Sequence, residues 1–415
     1  MEQYVERAVE GRLVEALADT PVVVLNGPRQ AGKSTLLARL AARRPHTALV
    51  TLDVAVERTA AQADPEGYVL DLHERLNAET VGIDEVQLAP ELFRAIKLAV
   101  DRDRRPGRFI LTGSTRLLSL PTLSDSLAGR MEVIELWPFS QGELSGRGNR
   151  FLDTAFAGEA RVSKTVDSRR RIIDRAAAGG FPPALQRMAT RRRAWATNYV
   201  QAVIDRDLAA VAALDRLAEM PRLLSLVAAR TGGLINVSDL ARDAAIPVRT
   251  VGNYLTWLER VFLVHRLPAW SSNRTTRARK APKIHVADSG VLAALLDIGA
   301  DTIDPATVGA LLECFVAGEL RRQRAWSDTD VELFHFRNPK GAEVDIVAED
   351  RRGRIVGIEV KASVGIDERA FRGLRYLQER HPDGFIAGYV LYCGTETVPV
   401  GAGLHAVPIP ALWAG

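Results

Sequence analysis

Residues 27–34 read Gly-Pro-Arg-Gln-Ala-Gly-Lys-Ser and fill every fixed position of the pattern G-x-x-x-x-G-K-[ST]. A short, β-branched apolar run at 21–25 precedes this loop, and leucines at helical spacing follow it at 35–41. Between a strand and a helix, the two glycines let backbone N–H groups turn inward onto a polyphosphate, and the helix N-terminus adds partial positive charge. The sequence therefore predicts a nucleoside-triphosphate site, with ATP as its ligand.

Two side chains of this loop have expected contacts of their own. Lys33 is predicted to reach the β- and γ-phosphates, and Ser34 to offer its hydroxyl to Mg²⁺. The other residues expected to line the nucleotide are Gly27, Pro28, Arg29, Gln30, Ala31, Gly32 and Thr35.

A second group of chemically capable residues ends the apolar segment at 80–87, Thr-Val-Gly-Ile-Asp-Glu-Val-Gln. Asp84 is predicted to hold Mg²⁺ through water, and Glu85 to orient the attacking water. A pair of acids at a strand end is common on any protein surface, but its position downstream of a phosphate loop favours the catalytic interpretation.

Two further residues are candidates for contact with the γ-phosphate. The segment 108–114 predicts a buried strand, and Ser114 or Thr112 at its end fits a phosphate sensor, although a plain turn explains them nearly as well. Arg130 precedes another predicted strand and is a candidate arginine finger. Such a finger acts in trans when neighbouring copies form a homo-oligomer; the alternative is a solvent-facing side chain, since the chain holds 48 arginines.

A second chemical centre is predicted near the C-terminus. Strands at 343–347 and 355–361 are expected to form a hairpin, and period-two alternation then brings Asp345, Glu359 and Lys361 together. Two carboxylates and a lysine at this spacing resemble the core of PD-(D/E)xK nucleases, which implies that Asp345 and Glu359 bind Mg²⁺ or Mn²⁺, that Lys361 assists a metal-bound water, and that Glu313 adds a third acid. The alternative is an exposed hairpin with ordinary cross-strand pairs.

The elements that position these groups divide the chain into five predicted parts. The 415 residues are too many for one core, 47 % hydrophobic residues are ordinary for a globular protein, and two cysteines give neither a disulfide framework nor a zinc cluster. No membrane span or signal is expected, and the predicted location is cytoplasmic. The parts are a P-loop core with a parallel sheet (1–140), a helical lid (141–215), a winged helix (216–270), a basic linker (271–283) and an α/β domain (284–415).

The winged helix and the linker suggest contact with nucleic acid. The third predicted helix of the winged helix carries Arg249 and Asn253, which suit a DNA groove, although such modules also serve as lids or adaptors. The segment 271–283 holds five cations and no acid, so it is either a solvated linker or a strip that contacts phosphates.

Four motifs in combination resemble one family: GPRQ-x-GK in the loop, DEVQ at 84–87, AGR at 128–130 and GGFPP at 179–183. This family comprises prokaryotic ATPases that join an archaeal-type AAA+ domain to a C-terminal domain of unknown function. The resemblance covers essentially the whole chain and implies that Phe181 and Pro182 lie against the adenine. The fold expected is an α/β multidomain protein, with an AAA+ core, helical lid, winged helix and restriction-endonuclease-like C-terminal domain.

Two functions are compatible with these patterns. The leading hypothesis is an ATP-hydrolysing AAA+ protein that acts on DNA through a Mg²⁺-dependent nuclease-like domain. The alternative is a regulatory switch in which ATP controls a C-terminal domain that binds a partner or nucleic acid without cutting it.

Overall fold

The computed structural model describes residues 4–116, 127–147, 150–159, 164–208, 217–299, 301–302 and 304–414. In these ranges, no helix has the length and apolar character needed to cross a membrane.

The N-terminal part is a five-stranded parallel sheet in the order β2-β3-β4-β1-β5. Its strands are β1 Val22–Asn26, β2 Thr47–Thr51, β3 Thr80–Asp84, β4 Phe109–Gly113 and β5 Met131–Glu135. The helices around it are Glu10–Asp19, Lys33–Arg43, Ala55–Ala63, Pro65–Arg75 and Leu92–Arg102. β1 and β4 are buried along their whole length, as their continuous apolar runs predict. Because all strands are parallel, the chain segments that leave β1, β3 and β4 meet at one edge of the sheet.

A helical segment follows the sheet, as the sequence predicts. Its helices are Gln141–Ser145, Phe151–Phe156, Arg169–Ala178, Pro182–Leu185 and Ala189–Ala202, and the last runs into a π-helical turn, Val203–Leu208.

The next module contains three helices and a small sheet. The helices are Met220–Ala228, Val237–Ala244 and Val248–Arg260, and β6 Val264–Leu267 pairs antiparallel with β7 Lys283–Val286. A bridge from Leu234 to Lys283 adds a third short stretch. The predicted linker differs from this structure: 274–279 is helical, and β7 crosses the predicted boundary at 284. The cause is the alternating segment Lys283-Ile284-His285-Val286, whose pairing with β6 was not recognisable locally.

The C-terminal part is a six-stranded mixed sheet in the order β12-β13-β11-β10-β9-β8. Its strands are β8 Val331–Arg337, β9 Glu343–Asp350, β10 Ile355–Lys361, β11 Phe385–Tyr392, β12 Val398–Pro399 and β13 Leu404–Pro408. Its helices are Ser289–Leu296, Pro305–Arg324 and Arg372–Arg380. β8, β9 and β10 pair antiparallel, which confirms the predicted hairpin, and β11 runs parallel to β10.

Short 3₁₀ turns complete the described elements at Val86–Leu88, Leu217–Glu219, Glu368–Phe371 and Ile409–Leu412. One hydrophobic core extends from Leu152 to Trp413 and joins the helical segment, the three-helix module and the C-terminal sheet. The long helix Pro305–Arg324 crosses this core, with 13 of its 20 residues buried. These three parts are therefore packed as one body rather than as separate units on linkers.

Candidate functional site: a phosphate loop and a buried acidic cluster

The predicted loop lies at the carboxyl end of β1 and enters the helix Lys33–Arg43. Gly32 has a φ of 99°, which favours glycine, and a Cβ at Gly27 would lie 2.0 Å from the carbonyl oxygen of Leu136. Both fixed glycines are thus required by backbone geometry. Ala31 is buried, and its carbonyl accepts a hydrogen bond of 2.8 Å from the buried Arg7, which supports the loop from below.

Lys33 lies inside the loop and is only 4 % exposed. Its ammonium donates to the carbonyl oxygens of Gly27, at 2.9 Å, and Pro28, at 2.8 Å. Burial lowers the pKa of Lys33 to about 8, and the nearby Glu85 and Asp84 partly oppose this effect. The charged Lys33 is therefore held inside the phosphate loop even though burial removes most of the hydration of its ammonium group.

The predicted magnesium ligands lie side by side. The Ser34 hydroxyl donates to one oxygen of Asp84 at 2.8 Å, and the Thr112 hydroxyl donates to the other. A hydroxyl and a carboxylate are oxygen ligands of the kind Mg²⁺ prefers, so these residues fit the predicted ion. Thr112 also accepts a hydrogen bond of 3.2 Å from the backbone N–H of Glu85, which fixes both acids relative to β4.

Glu85 has a left-handed backbone conformation, with a φ of 56°. A non-glycine residue with positive φ at a candidate catalytic position is a form of local strain often found at functional sites. The Ser114 hydroxyl donates to Glu85 at 3.1 Å, and the Gln87 amide donates to Ser114 at 2.9 Å and also to Glu85. The structure therefore places Ser114 in contact with Glu85. It also adds Gln87, the last residue of the DEVQ motif, for which the sequence analysis predicted no role.

Arg29 joins the loop to the helical segment. Its Nε atom lies 2.6 Å and 2.7 Å from the two carboxylate oxygens of Asp207, whose side chain is 4 % exposed. Burial raises the pKa of Asp207, and Arg29 opposes this rise. Asp207 was missed at the sequence level because it lies 178 positions away from Arg29 in a π-helical turn that carries no motif.

Gln30 and Thr35 complete the predicted loop, Gln30 with a left-handed φ of 60°. Arg130 lies elsewhere. Arg130 immediately precedes β5 and so lies at the amino ends of the parallel strands, whereas the loop lies at their carboxyl ends. Its Nε lies 2.7 Å from Asp101. This position separates Arg130 from the loop of its own chain by the length of a strand, so a finger role requires a second copy and stays a prediction.

Phe181 and Pro182 lie at the start of the helix Pro182–Leu185. The ring of Phe181 is 3 % exposed, and its centroid lies 4.8 Å from that of Tyr199 and 5.3 Å from that of Trp195. Phe181 therefore belongs to the aromatic core of the helical segment, and half-buried Pro182 is the more accessible of the two. The predicted adenine contact stays a prediction.

The C-terminal candidates do meet on adjacent strands. One oxygen of Asp345, on β9, accepts from the backbone N–H of Val360, on β10, at 3.0 Å. On β10, the Lys361 ammonium lies 2.7 Å from Glu359. The hairpin thus places Asp345, Glu359 and Lys361 together, as period-two alternation predicts.

The centre of this group holds a cation that the sequence did not indicate. The ammonium of Lys283, on β7, lies 3.0 Å from a carboxylate oxygen of each of three acids. These acids, which we call the acidic cluster, are Glu313, Glu343 and Asp345. The Lys283 side chain is 2 % exposed, so its charge is balanced almost entirely by the cluster.

Burial dominates the protonation of this region. Burial first, and Asp345 second, raises the pKa of both Glu313 and Glu359. His285 contacts Glu313 at 3.2 Å, and burial lowers its pKa to about 3, so the ring is neutral at pH 7. These shifts reduce the net negative charge that surrounds Lys283.

The metal site predicted from Glu313, Asp345 and Glu359 is not formed. Among the residues that the structure describes, no three His, Cys, Asp or Glu side chains are arranged to hold a metal ion. The physical reason is the Lys283 ammonium, which binds oxygens of Glu313 and Asp345, while Glu359 is paired separately with Lys361. The residue types suit Mg²⁺ or Mn²⁺, but their arrangement does not.

The basic segment 271–283 is only partly a surface strip. Arg277 donates to Glu349 at 2.7 Å and its side chain is 17 % exposed, so it is a structural ion pair between the helix Arg274–Arg279 and β9. Arg274 and Arg279 are exposed. Of the five cations, Arg274 and Arg279 are the two that are both exposed and without a described ion pair, whereas Lys280 is half-buried and donates to the carbonyl oxygen of Arg337.

Family models match three parts of the chain. Residues 19–145 match an AAA domain, 169–302 match a domain of unknown function (DUF8612), and 308–412 match another domain of unknown function (DUF4143). The uncharacterized protein Rv2008c of Mycobacterium tuberculosis (strain ATCC 25618 / H37Rv) is 32 % identical over 359 residues, which cover 86 % of this chain and 73 % of that protein. The chain belongs to the same family as this protein. The uncharacterized protein Mb2031c of Mycobacterium bovis matches with the same identity and coverage.

These matches identify the N-terminal part as an AAA-type ATPase domain and leave the C-terminal part without an assigned activity. Among solved structures, the replication initiator DnaA bound to AMPPCP and single-stranded DNA aligns with a TM-score of 0.30 and 12 % identity, covering 60 % of this chain and 86 % of that chain. AMPPCP-bound DnaA from Aquifex aeolicus aligns with a TM-score of 0.28 and 14 % identity, over the same shares. We draw no conclusion about this chain from superpositions with TM-scores this low.

Proposed function

We propose that this family member is an ATP-hydrolysing AAA+ protein that acts on DNA and uses its nucleotide state to control the three-helix module and the C-terminal domain. The observation that carries the proposal is the meeting of Lys33, Ser34, Asp84, Glu85 and Ser114 at one edge of the parallel sheet. Each of these residues has the type and position that phosphate binding or water activation requires.

The chain's own residues divide the work of hydrolysis. The loop N–H groups and Lys33 hold the β- and γ-phosphates, and Ser34 with Asp84 would hold Mg²⁺, which neutralises phosphate charge when bound. Glu85 orients the water that attacks the γ-phosphorus, while the bond from that phosphorus to the bridging oxygen breaks. Ser114 and Gln87 set the position of Glu85. The presence or loss of the γ-phosphate therefore affects Ser114, which directly follows β4.

The ion pair between Arg29 and Asp207 supports coupling between the nucleotide and the rest of the protein. Arg29 belongs to the phosphate loop, and Asp207 belongs to a segment that shares its hydrophobic core with the C-terminal sheet. A change in the loop on ATP binding is thus transmitted to Asp207 through a charge pair whose carboxylate is buried, and such a pair is sensitive to small displacements.

Action on DNA is supported by exposed polar groups on the three-helix module. Three helices followed by the antiparallel pair β6 and β7 are compatible with the proposed winged helix, and the third helix exposes Arg249 and Asn253. Arg274 and Arg279 are two further exposed arginines, on the helix between β6 and β7. The proposed contact is to DNA phosphates by the arginines, with Asn253 at a base edge.

The test is ATP turnover by purified protein with no DNA, with single-stranded DNA and with duplex DNA. The proposal expects turnover that is lost in Lys33→Ala and is changed by one form of DNA in wild type. An Arg249→Ser, Asn253→Ala variant should keep basal turnover and lose the response to DNA. Basal turnover that no DNA alters would refute the nucleic-acid part while leaving the ATPase intact.

A Mg²⁺-dependent nuclease is a second candidate; it requires a conformation in which Lys283 leaves the acidic cluster, and one observation favours it. The long helix precedes the β8-β9-β10 meander, and the β9-β10 hairpin has Asp345, Glu359 and Lys361 on neighbouring strands. Its test is cleavage of supercoiled and single-stranded DNA with Mg²⁺ or Mn²⁺, with and without ATP. Cleavage that Asp345→Ala abolishes would establish it.

A further inference from the structure

The acidic cluster already contains a cation supplied by the protein. An ammonium group has three donors, and Lys283 places one oxygen of Glu313, Glu343 and Asp345 at 3.0 Å from its nitrogen. The ammonium donates hydrogen bonds to Glu313 and Asp345 and forms an ion pair with Glu343. All three carboxylates of the acidic cluster therefore lie in direct contact with one ammonium group.

Strand pairing fixes the backbone of Lys283, and burial confines its side chain. Lys283 begins β7, where it pairs with Leu267 of β6 and forms a bridge to Leu234. It is one of the largest fully buried side chains among the described residues. The ammonium therefore cannot leave the cluster for solvent without displacement of the residues that pack around it.

A divalent ion needs the same oxygen atoms. Mg²⁺ or Mn²⁺ would bind carboxylate oxygens at about 2.0–2.2 Å, which would bring it within a few ångströms of the Lys283 nitrogen. Two cations at that separation in a buried setting repel strongly. The second oxygen of Asp345 accepts the N–H of Val360, which fixes the orientation of this carboxylate beside Lys283.

We infer that Lys283 is the resident cation of the acidic cluster and that it excludes a divalent metal from the C-terminal domain in this conformation. The three-helix module thus supplies the charge that a metal supplies in a carboxylate nuclease centre. This inference does not depend on ATP hydrolysis, since it rests on contacts among β7, β9 and the helix Pro305–Arg324.

The experiment measures Mn²⁺ binding to nucleotide-free, full-length protein by calorimetry. All proteins carry Asp84→Asn, which removes the predicted ligand at the phosphate loop. Binding is expected to be the same with and without Asp345→Asn, because Asp345 is engaged by Lys283. A loss of Mn²⁺ binding on Asp345→Asn would overturn the inference, and this comparison needs no change at Lys283.

Substitution of Lys283 gives the complementary test. Lys283→Met leaves the three carboxylates of the acidic cluster without their cation, so the Tm of this variant should fall. Mn²⁺ at about 100 times its Kd for the variant should restore several degrees. Lys283→Arg keeps the charge and should show no such response to Mn²⁺. A folded Lys283→Met protein that takes up no more Mn²⁺ than wild type would also overturn the inference.

Discussion

Replacement of Lys33 by methionine should stabilise the nucleotide-free protein at neutral pH. The side chain is 4 % exposed, and burial lowers its pKa from the ordinary 10.5 to about 8. The lowered pKa means that the folded protein binds this proton more weakly than the unfolded chain does. The difference corresponds to about 3 kcal/mol of lost stability while Lys33 is charged in both states.

The sign of this effect gives it a defined pH window. The full penalty applies below the folded pKa of about 8, declines as the pH rises, and vanishes above the unfolded value of 10.5. Methionine removes the charge but also removes the donor to the carbonyls of Gly27 and Pro28, at a cost of about 1–2 kcal/mol. The expected net gain is thus about 1–2 kcal/mol at pH 7, and it should turn into a loss near pH 10.

Urea unfolding of both proteins without nucleotide, at pH 7 and pH 10, measures this difference. Lys340→Met is the matched control, because that lysine is exposed and its removal should change stability by less than about 0.5 kcal/mol at either pH. Addition of ATP and Mg²⁺ should stabilise wild type and leave Lys33→Met unchanged. If Lys33→Met is less stable than wild type by the same amount at both pH values, the argument from burial is refuted.

Three further predictions address the connections of the ATPase domain. Arg29→Met should destabilise the protein by about 2–4 kcal/mol, because it leaves Asp207 unpaired. Urea unfolding should show that adding Asp207→Asn recovers part of this loss. Strictly additive losses of stability in the double variant would contradict the ion pair. Arg274→Ser with Arg279→Ser should weaken DNA binding equally across sequences and reduce the slope of log K against log salt by about 0.7–0.9 per lost contact, whereas unchanged affinity at low salt would exclude a phosphate-contacting role. Arg130→Ala should lower turnover by about 10³-fold or more, and inactive Lys33→Ala protein, which retains Arg130, should restore part of it on mixing; no rescue would rule out a role in trans.

Local patterns were sufficient for the ATPase core and for one hairpin of the C-terminal sheet. The loop at 27–34, the acids at 84–85 and the hairpin at 343–361 each combine a motif with the periodicity of the element that carries it, and the structure places them as expected. These features depend on short-range backbone geometry, which composition and spacing encode directly.

Partners distant in sequence were not predictable. Asp207 lies 178 positions from Arg29, and Lys283 lies 62 positions from Asp345. Lys283 looked like one cation of a basic strip, because only the pairing of β6 with β7 turns its side chain inward. The only local signal was the alternation of Lys283-Ile284-His285-Val286, which predicts a strand with Lys283 and His285 on one face. The metal site predicted from Glu313, Asp345 and Glu359 was wrong because the prediction did not include Lys283, whose ammonium binds two of these acids.

The most direct test of the ATPase assignment is a comparison of ATP binding and turnover in wild type and Glu85→Gln. Gln keeps the shape of the side chain and its contact with Ser114, but loses the charge that orients and polarises water. The account predicts an ATP Kd that stays close to that of wild type, with turnover reduced by about 10²–10⁴-fold. Turnover at the wild-type rate in Glu85→Gln would contradict it.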